Sequence, residues 1–180
     1  MRKKLLSYGI AKENLSKIYL LPFTVTKEVK LAMFQHRIIH NILAINSILY
    51  KMNKAASPSC PFCPSDSQKI RHLFISCLQA SSFWYKFQSW YSTISNVSLL
   101  LSEAEVLFGI TRPCTHRFTL SHIIMLGKFF LYINVLNNTM LAFSDFISLV
   151  QDKIEIEKYV AATLNGEREF QQKWKFLLTI

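Results

Sequence analysis

A chain of 180 residues, 51% hydrophobic and 13% aromatic, can bury a real core, which excludes a disordered tail. The formal net charge of +10 is unevenly placed: residues 1–54 hold ten Lys/Arg against Glu13 and Glu28, the remainder eleven against nine acids. Basicity concentrated in the first third points to a polyanion, nucleic acid before a membrane surface.

The opening "MRKKLLSYGI" has a basic start, but its apolar segment is broken at once by Ser7, Gly9 and Lys12. It does not read as a secretory signal. The expected location is therefore intracellular, cytoplasmic or nuclear, and the four cysteines are expected to be reduced, serving a metal or the core. In "RKKLLSYGIAKENLSKIYLL" basic and aromatic residues interleave. Such a segment can track a phosphate backbone while Tyr8 or Tyr19 stacks a base. It can equally be a solvated face with its aromatics turned inward.

After Pro22 and the capping candidates Thr24 and Thr26, "KEVKLAMFQHRIIH" (27–40) predicts a helix, with Val29, Met33, Ile38 and Ile39 near helical spacing. A short helix is expected over 44–52. The stretch 53–68, with three prolines among small polar residues, predicts turns. From His72 a long amphipathic helix is expected, because Leu73, Cys77, Ala80, Trp84, Phe87 and Tyr91 recur every three or four residues. "SNVSLL" breaks it. Ser102, three residues before Glu105, predicts a capping box, and "TRPCT" predicts a turn. Residues 118–136 are apolar and long enough, at about 20 residues, to cross a bilayer. Lys128 near the middle favours a buried helix instead. A further helix is expected over 140–164, ended by Asn165-Gly166, and a last one carries Phe170, Trp174 and Leu177. The class is mainly α: a small Cys-Cys-His-Cys zinc-stabilised module packed on, or followed by, a helical C-terminal region. The expected division is a basic segment (1–26), the zinc module (27–94) and the helical region (95–180).

The chemistry-bearing pattern is Cys60-x2-Cys63-x8-His72-x4-Cys77. Two cysteines around a tight turn can offer both sulfurs to one ion, and His72 with Cys77 can close a tetrahedron at about 2.0–2.3 Å from it. Three thiolates and an imidazole favour one zinc over magnesium or calcium. Four protein ligands leave no position for an activated water, so the ion would be structural. His72 and Cys77 do not share a face of a regular helix, which places His72 just before the helix or in a distorted first turn. Reduced core cysteines are the competing reading. It suits Cys77 but not Cys60 and Cys63 in a polar turn.

Other signals are weaker. "HRIIH" (36–40) spaces two histidines as a zinc peptidase does, but Arg37 stands where the general base belongs. Cys114 has no nearby partner in sequence. No catalytic constellation of nucleophile and base is visible.

The run "VKLAMFQHRIIHNILAINSILYKM", then "CPFC", "HLFISC" and "FW", resembles the zinc-binding domain that follows the polymerase in non-LTR (LINE-type) retrotransposon reverse transcriptases. The matching positions are His40, Asn41, Leu43, Cys60, Pro61, Cys63, His72, Leu73, Phe74, Cys77, Phe83 and Trp84. The likeness covers 27–91, and "EIEKYVAATLN" and "FQQKWKF" are similar to later elements of the same proteins. It implies metal ligation by Cys60, Cys63, His72 and Cys77, and binding of nucleic acid, RNA before DNA. Lys3, Lys4, Lys12, Lys17, Lys27, Lys30 and Arg37 are the expected phosphate contacts. Polymerase chemistry needs clustered carboxylates, whereas Asp66, Asp145 and Asp152 are the only aspartates here and form no adjacent pair. The expectation is a non-enzymatic piece of such a protein, with no small-molecule substrate. The alternative is a protein-docking module that uses its apolar C-terminal helices.

Overall fold

The computed structural model describes residues 8–63 and 66–178. Eight α-helices are formed among them: α1 (Leu15–Val25), α2 (Val29–Ile39), α3 (Asn46–Lys51), α4 (Leu78–Ser95), α5 (Glu103–Phe108), α6 (Arg117–Asn137), α7 (Phe143–Thr163) and α8 (Glu167–Trp174). No strand occurs among the described residues, only an isolated antiparallel bridge between Ser59 and Ser67.

The organising element is α6. Its sequence is apolar almost all round, so it has no face to give to water and becomes the centre of the packing. The helices α1, α2, α7 and α8 lie against it. One continuous core runs from Leu15 to Leu177, across residue 95. Gly127 lets α4 approach closely: a Cβ there would lie 3.1 Å from both Phe83 Cε1 and Trp84 Cη2. Phe83 then packs edge-on against Phe146 of α7, at 5.0 Å between ring centroids. Gly109, at φ +93°, ends α5 where a Cβ would fall 2.1 Å from Leu21 Cδ2.

Lys128, on the apolar α6, is fully buried. Its ammonium nitrogen donates to Gln35 Oε1 and, at 2.9 Å, to the Leu107 carbonyl, which also accepts from Gln35 Nε2 at 2.8 Å. Burial pushes the amine well below the usual lysine range. No carboxylate among the described residues pairs with it. This polar knot ties α2 and α5 to α6.

Several local expectations need correction. Residues 15–25 form a helix despite Pro22, which lies inside α1 rather than before a cap. On α2, Val29 and Met33 face solvent, and the inward face is Leu31, Phe34, Gln35 and Ile38. Burying Gln35 instead of Val29 is possible because the α5 carbonyl and Lys128 satisfy its amide. The helix expected from His72 begins only at Leu78; a π turn (His72–Ser76) and an extended Cys77, at ψ 135°, precede it. Between α7 and α8 the left-handed residue is Asn165 (φ 53°), not the glycine that follows it. The Ser102/Glu105 capping box is present in full.

Candidate metal centre

The four donors expected from spacing converge. One ligand atom from each of Cys60, Cys63, His72 and Cys77 lies within 4.8 Å of every other. Cys63 Sγ is 3.0 Å from His72 Nε2 and 3.5 Å from Cys77 Sγ. The edge of a tetrahedron with zinc–sulfur bonds of 2.3 Å is about 3.8 Å. The cluster therefore has nearly the dimensions of a zinc cage, with Cys60, Cys77 and His72 buried and Cys63 half-buried.

The local chain explains the convergence. Cys60 N–H donates to the Asp66 carbonyl (2.9 Å), Asp66 N–H to the Cys63 carbonyl (3.3 Å) and Gln68 N–H to the Pro58 carbonyl (2.8 Å). These bonds fold the cysteine pair into a knuckle. Asn46, at the start of α3, anchors it: its backbone N–H donates to Gln68 Oε1 and its side chain to the Ser59 carbonyl.

On the other side, the π turn supplies the register. Cys77 N–H donates to the His72 carbonyl at 2.9 Å, an i to i+5 bond. Five residues in an α-helix would set the two side chains about 140° apart; the wider turn brings them to the same ion. The tryptophan of the "FW" pair has its reason here too. Trp84 Nε1 donates to the Phe74 carbonyl at 2.7 Å, satisfying a buried acceptor in the irregular turn.

The electrostatics suit a cation. Cys77 is drawn down to about 5 by hydrogen bonds from the Cys60 and Cys63 side chains and from the backbone N–H groups of Gln79 and Ala80, at the N-terminus of α4. Cys60 is pushed up, first by its bond to Cys77 and then by burial, although the N–H groups of Cys63 and Phe62 point at its sulfur. Cys63 is raised as well, by burial and then by Cys77. Left to themselves, three crowded sulfurs hold one anion. A dication makes three thiolates tenable together, and the backbone donors aimed at two of them are already in place. Thiolates and an imidazole are the donor set zinc takes.

One contributor escaped the sequence reading. The Asp66 carboxylate lies 3.4 Å from His72 Nδ1, the ring nitrogen turned away from the cage. The approach is looser than a closed hydrogen bond. The acid nonetheless stands on the side from which a carboxylate orients a ligating imidazole, although Nδ1 has no hydrogen-bond partner here. An acid between the cysteine pair and the histidine was the available signal.

The expected phosphate contacts do not gather at the cage. Lys12, Lys17, Lys27, Lys30 and Arg37 are all exposed. Lys30 and Arg37 share a face of α2 two turns apart, with Lys30 over the Phe129 ring at 5.3 Å. Lys17 bonds to Asn14 Oδ1, and Lys27 lies at the α1–α2 junction. Lys3 and Lys4 fall outside the described residues. His36 and His40 stack at 4.1 Å, with no further donor grouped with them among the described residues. Tyr8 and Tyr19 pack against Phe108 and His40.

No curated protein and no solved structure matches the chain. Residues 8–84, less than half of it, match the family model described as zinc-binding in reverse transcriptase, and all four cage donors and the Phe83-Trp84 pair fall within the match. That segment is similar to a reverse-transcriptase zinc-binding domain, an accessory unit and not the polymerase itself.

Proposed function

We propose that this chain is a non-catalytic, zinc-stabilised nucleic-acid-binding module, RNA before DNA, related to the C-terminal part of non-LTR retrotransposon reverse transcriptases. The observation that carries the reading is the meeting of Cys60, Cys63, His72 and Cys77 within 4.8 Å, inside the span similar to a reverse-transcriptase zinc-binding domain. With all four positions taken by protein, a single zinc would hold shape and activate no water. The non-LTR assignment draws on the motif order from "HRIIHNIL" to "FW". In this reading Lys12, Lys17, Lys27, Lys30 and Arg37, with Lys3 and Lys4, contact phosphates. Location inside the cell, in cytoplasm or nucleus, goes with such a partner.

Metal analysis of purified protein should find about one zinc per chain, held by four ligands. RNA binding titrated against salt should weaken with a log–log slope of about −0.7 to −0.9 per phosphate contact. A binding constant that ignores salt, or no binding at all, refutes the nucleic-acid reading. The docking alternative draws on Tyr159 of α7 and Leu164 just after it, both strongly exposed; most of the apolar residues of α6 are spent in the core. A chain that self-associates in light scattering and ignores RNA would favour docking.

A further inference from the structure

A second site lies away from the cage, where the α1–α2 junction, the start of α6, and the α7–α8 corner surround a cavity of about 1050 Å³. Its volume is at the upper end of small-molecule pockets. The walls differ in chemistry. One side is apolar: Phe118, Ile156, Val160, Leu164 and the buried Phe170. The other is charged, and its charges are unequally satisfied. Lys153 pairs with Glu28, and Lys173 with Glu157 at 2.8 Å. Lys27 and Arg117 also line the cavity without a carboxylate partner among the described residues, against Glu169 without a cationic one, which leaves one positive charge in excess.

Those two cations sit beside a third positive feature. The 21-residue α6 begins at Arg117, and no side chain caps it, its N-cap His116 being left-handed at φ 58°. The residues of its first turn, Arg117, Phe118 and Thr119, line the same cavity, at the positive end of the helix dipole. Lys27, Lys153 and Lys173 all line this cavity, and the amine of Lys173 is lowered by burial and then by the charges of Lys153 and Lys27, against the pull of Glu157. Amide groups for reading a polar edge are at hand in Asn165 and Gln172.

An anionic head, a flat or apolar body and a polar edge describe a nucleotide. We propose that this cavity binds a nucleoside monophosphate unit, with the phosphate at the start of α6 against Lys27 and Arg117 and the base against the apolar face of α7. The unit is either free nucleotide or one nucleotide of a bound strand, and only the second source rests on the nucleic-acid reading above.

The test is amide chemical-shift titration of the zinc-loaded full chain with adenosine 5′-monophosphate, uridine 5′-monophosphate, adenosine, inorganic phosphate and a short single-stranded RNA. Saturable shifts are expected in the first turn of α6 and at the α7–α8 corner. Either monophosphate should bind at least about tenfold tighter than adenosine or phosphate alone, a ratio equal to 1.4 kcal/mol. Lys27→Gln, at an exposed position, should weaken the monophosphates severalfold and leave adenosine unchanged. Val160→Trp should obstruct the apolar wall and weaken the monophosphates and adenosine alike while the melting curve is kept. If the RNA moves the same amides, the unit belongs to a strand; if only monophosphates do, it is free nucleotide. No saturable shift up to about 10 mM ligand overturns the site, as does adenosine binding as tightly as its phosphate, or monophosphate binding unchanged by both Lys27→Gln and Val160→Trp. Salt-dependent RNA binding without nucleotide shifts removes the cavity alone. Nucleotide shifts without RNA binding remove the broader reading and leave the cavity as a site for free nucleotide.

Discussion

Around the cage, residues 57–63 and 66–77 contain one isolated bridge, one π turn and a few turn bonds, and most of the loop's side chains are polar or exposed. In α6, by contrast, thirteen of 21 residues are buried, among them Ile123 and Ile124 with no exposure at all. Apart from Ile70, Leu73 and Phe74, which join the core, the loop buries little apolar surface to offset its ordering entropy, so the shape of its cysteine knuckle must come from a cross-link. The α6 bundle gets its shape from burial and needs no ion. The two regions meet at Trp84, whose ring packs on the Gly127 side of α6 and whose N–H holds the turn that carries His72. Order in the cage therefore depends on order in the bundle, and the reverse dependence is weak.

The largest test of that asymmetry is metal removal. Chelation, or Cys63→Ser, should withdraw a binding energy on the order of 10 kcal/mol from the loop. Hydrogen exchange should rise over 57–63 and 66–77 while α6 and α7 stay protected; equal loss in both would break the comparison. From the other side, Phe146→Ala, which empties a fully buried site among Phe83, Phe87 and Phe130, should cost about 3–5 kcal/mol in a denaturant melt. Zinc content of the folded fraction should not change. Asp66→Asn should lower zinc affinity by about 10- to 100-fold in a competition assay, with the fold retained, if the carboxylate orients His72.

The smallest effect is a pH slope. His122 is fully buried beside Trp174, with both ring nitrogens unpartnered and Glu157 Oε1 3.8 Å from Nδ1. Burial, then the charges of Lys173 and Lys153, hold it well below the usual histidine value. Below about pH 6.5 the unfolded chain takes up a proton that the folded ring refuses. Stability should thus be full above that pH and fall as pH drops, by at most about 1.4 kcal/mol per unit. His122→Phe should flatten the slope measured between pH 6.5 and 5.

The donor set was legible because cysteine and histidine spacing is a local code, and four soft donors have few other uses. What spacing could not give was the device that makes a five-residue interval work, since a π turn leaves no compositional trace in "HLFIS". The amphipathic faces were legible where apolar residues are plentiful, as on α4 and α7. On α2 the pattern misled: Val29 and Met33 are apolar, yet the neighbours that decide burial, Lys128 and the Leu107 carbonyl, are distant in sequence and favour Gln35. Pro22 suggests a boundary before the helix at 27–40, since proline lacks a backbone donor. Inside α1 that loss is tolerated, with Pro22 itself buried. The cavity was invisible, being assembled from four separate stretches.

The buried Lys128 amine has a consequence for chemical labelling. With its amine held well below the usual lysine range, it loses its proton more readily than the surface lysines, yet no acylating reagent can reach it while α2, α5 and α6 stay together. Its modification rate should therefore follow opening of the bundle and nothing smaller. Mass spectrometry of that one lysine would act as a clock for global unfolding, set apart from the faster labelling of Lys69 beside the cage.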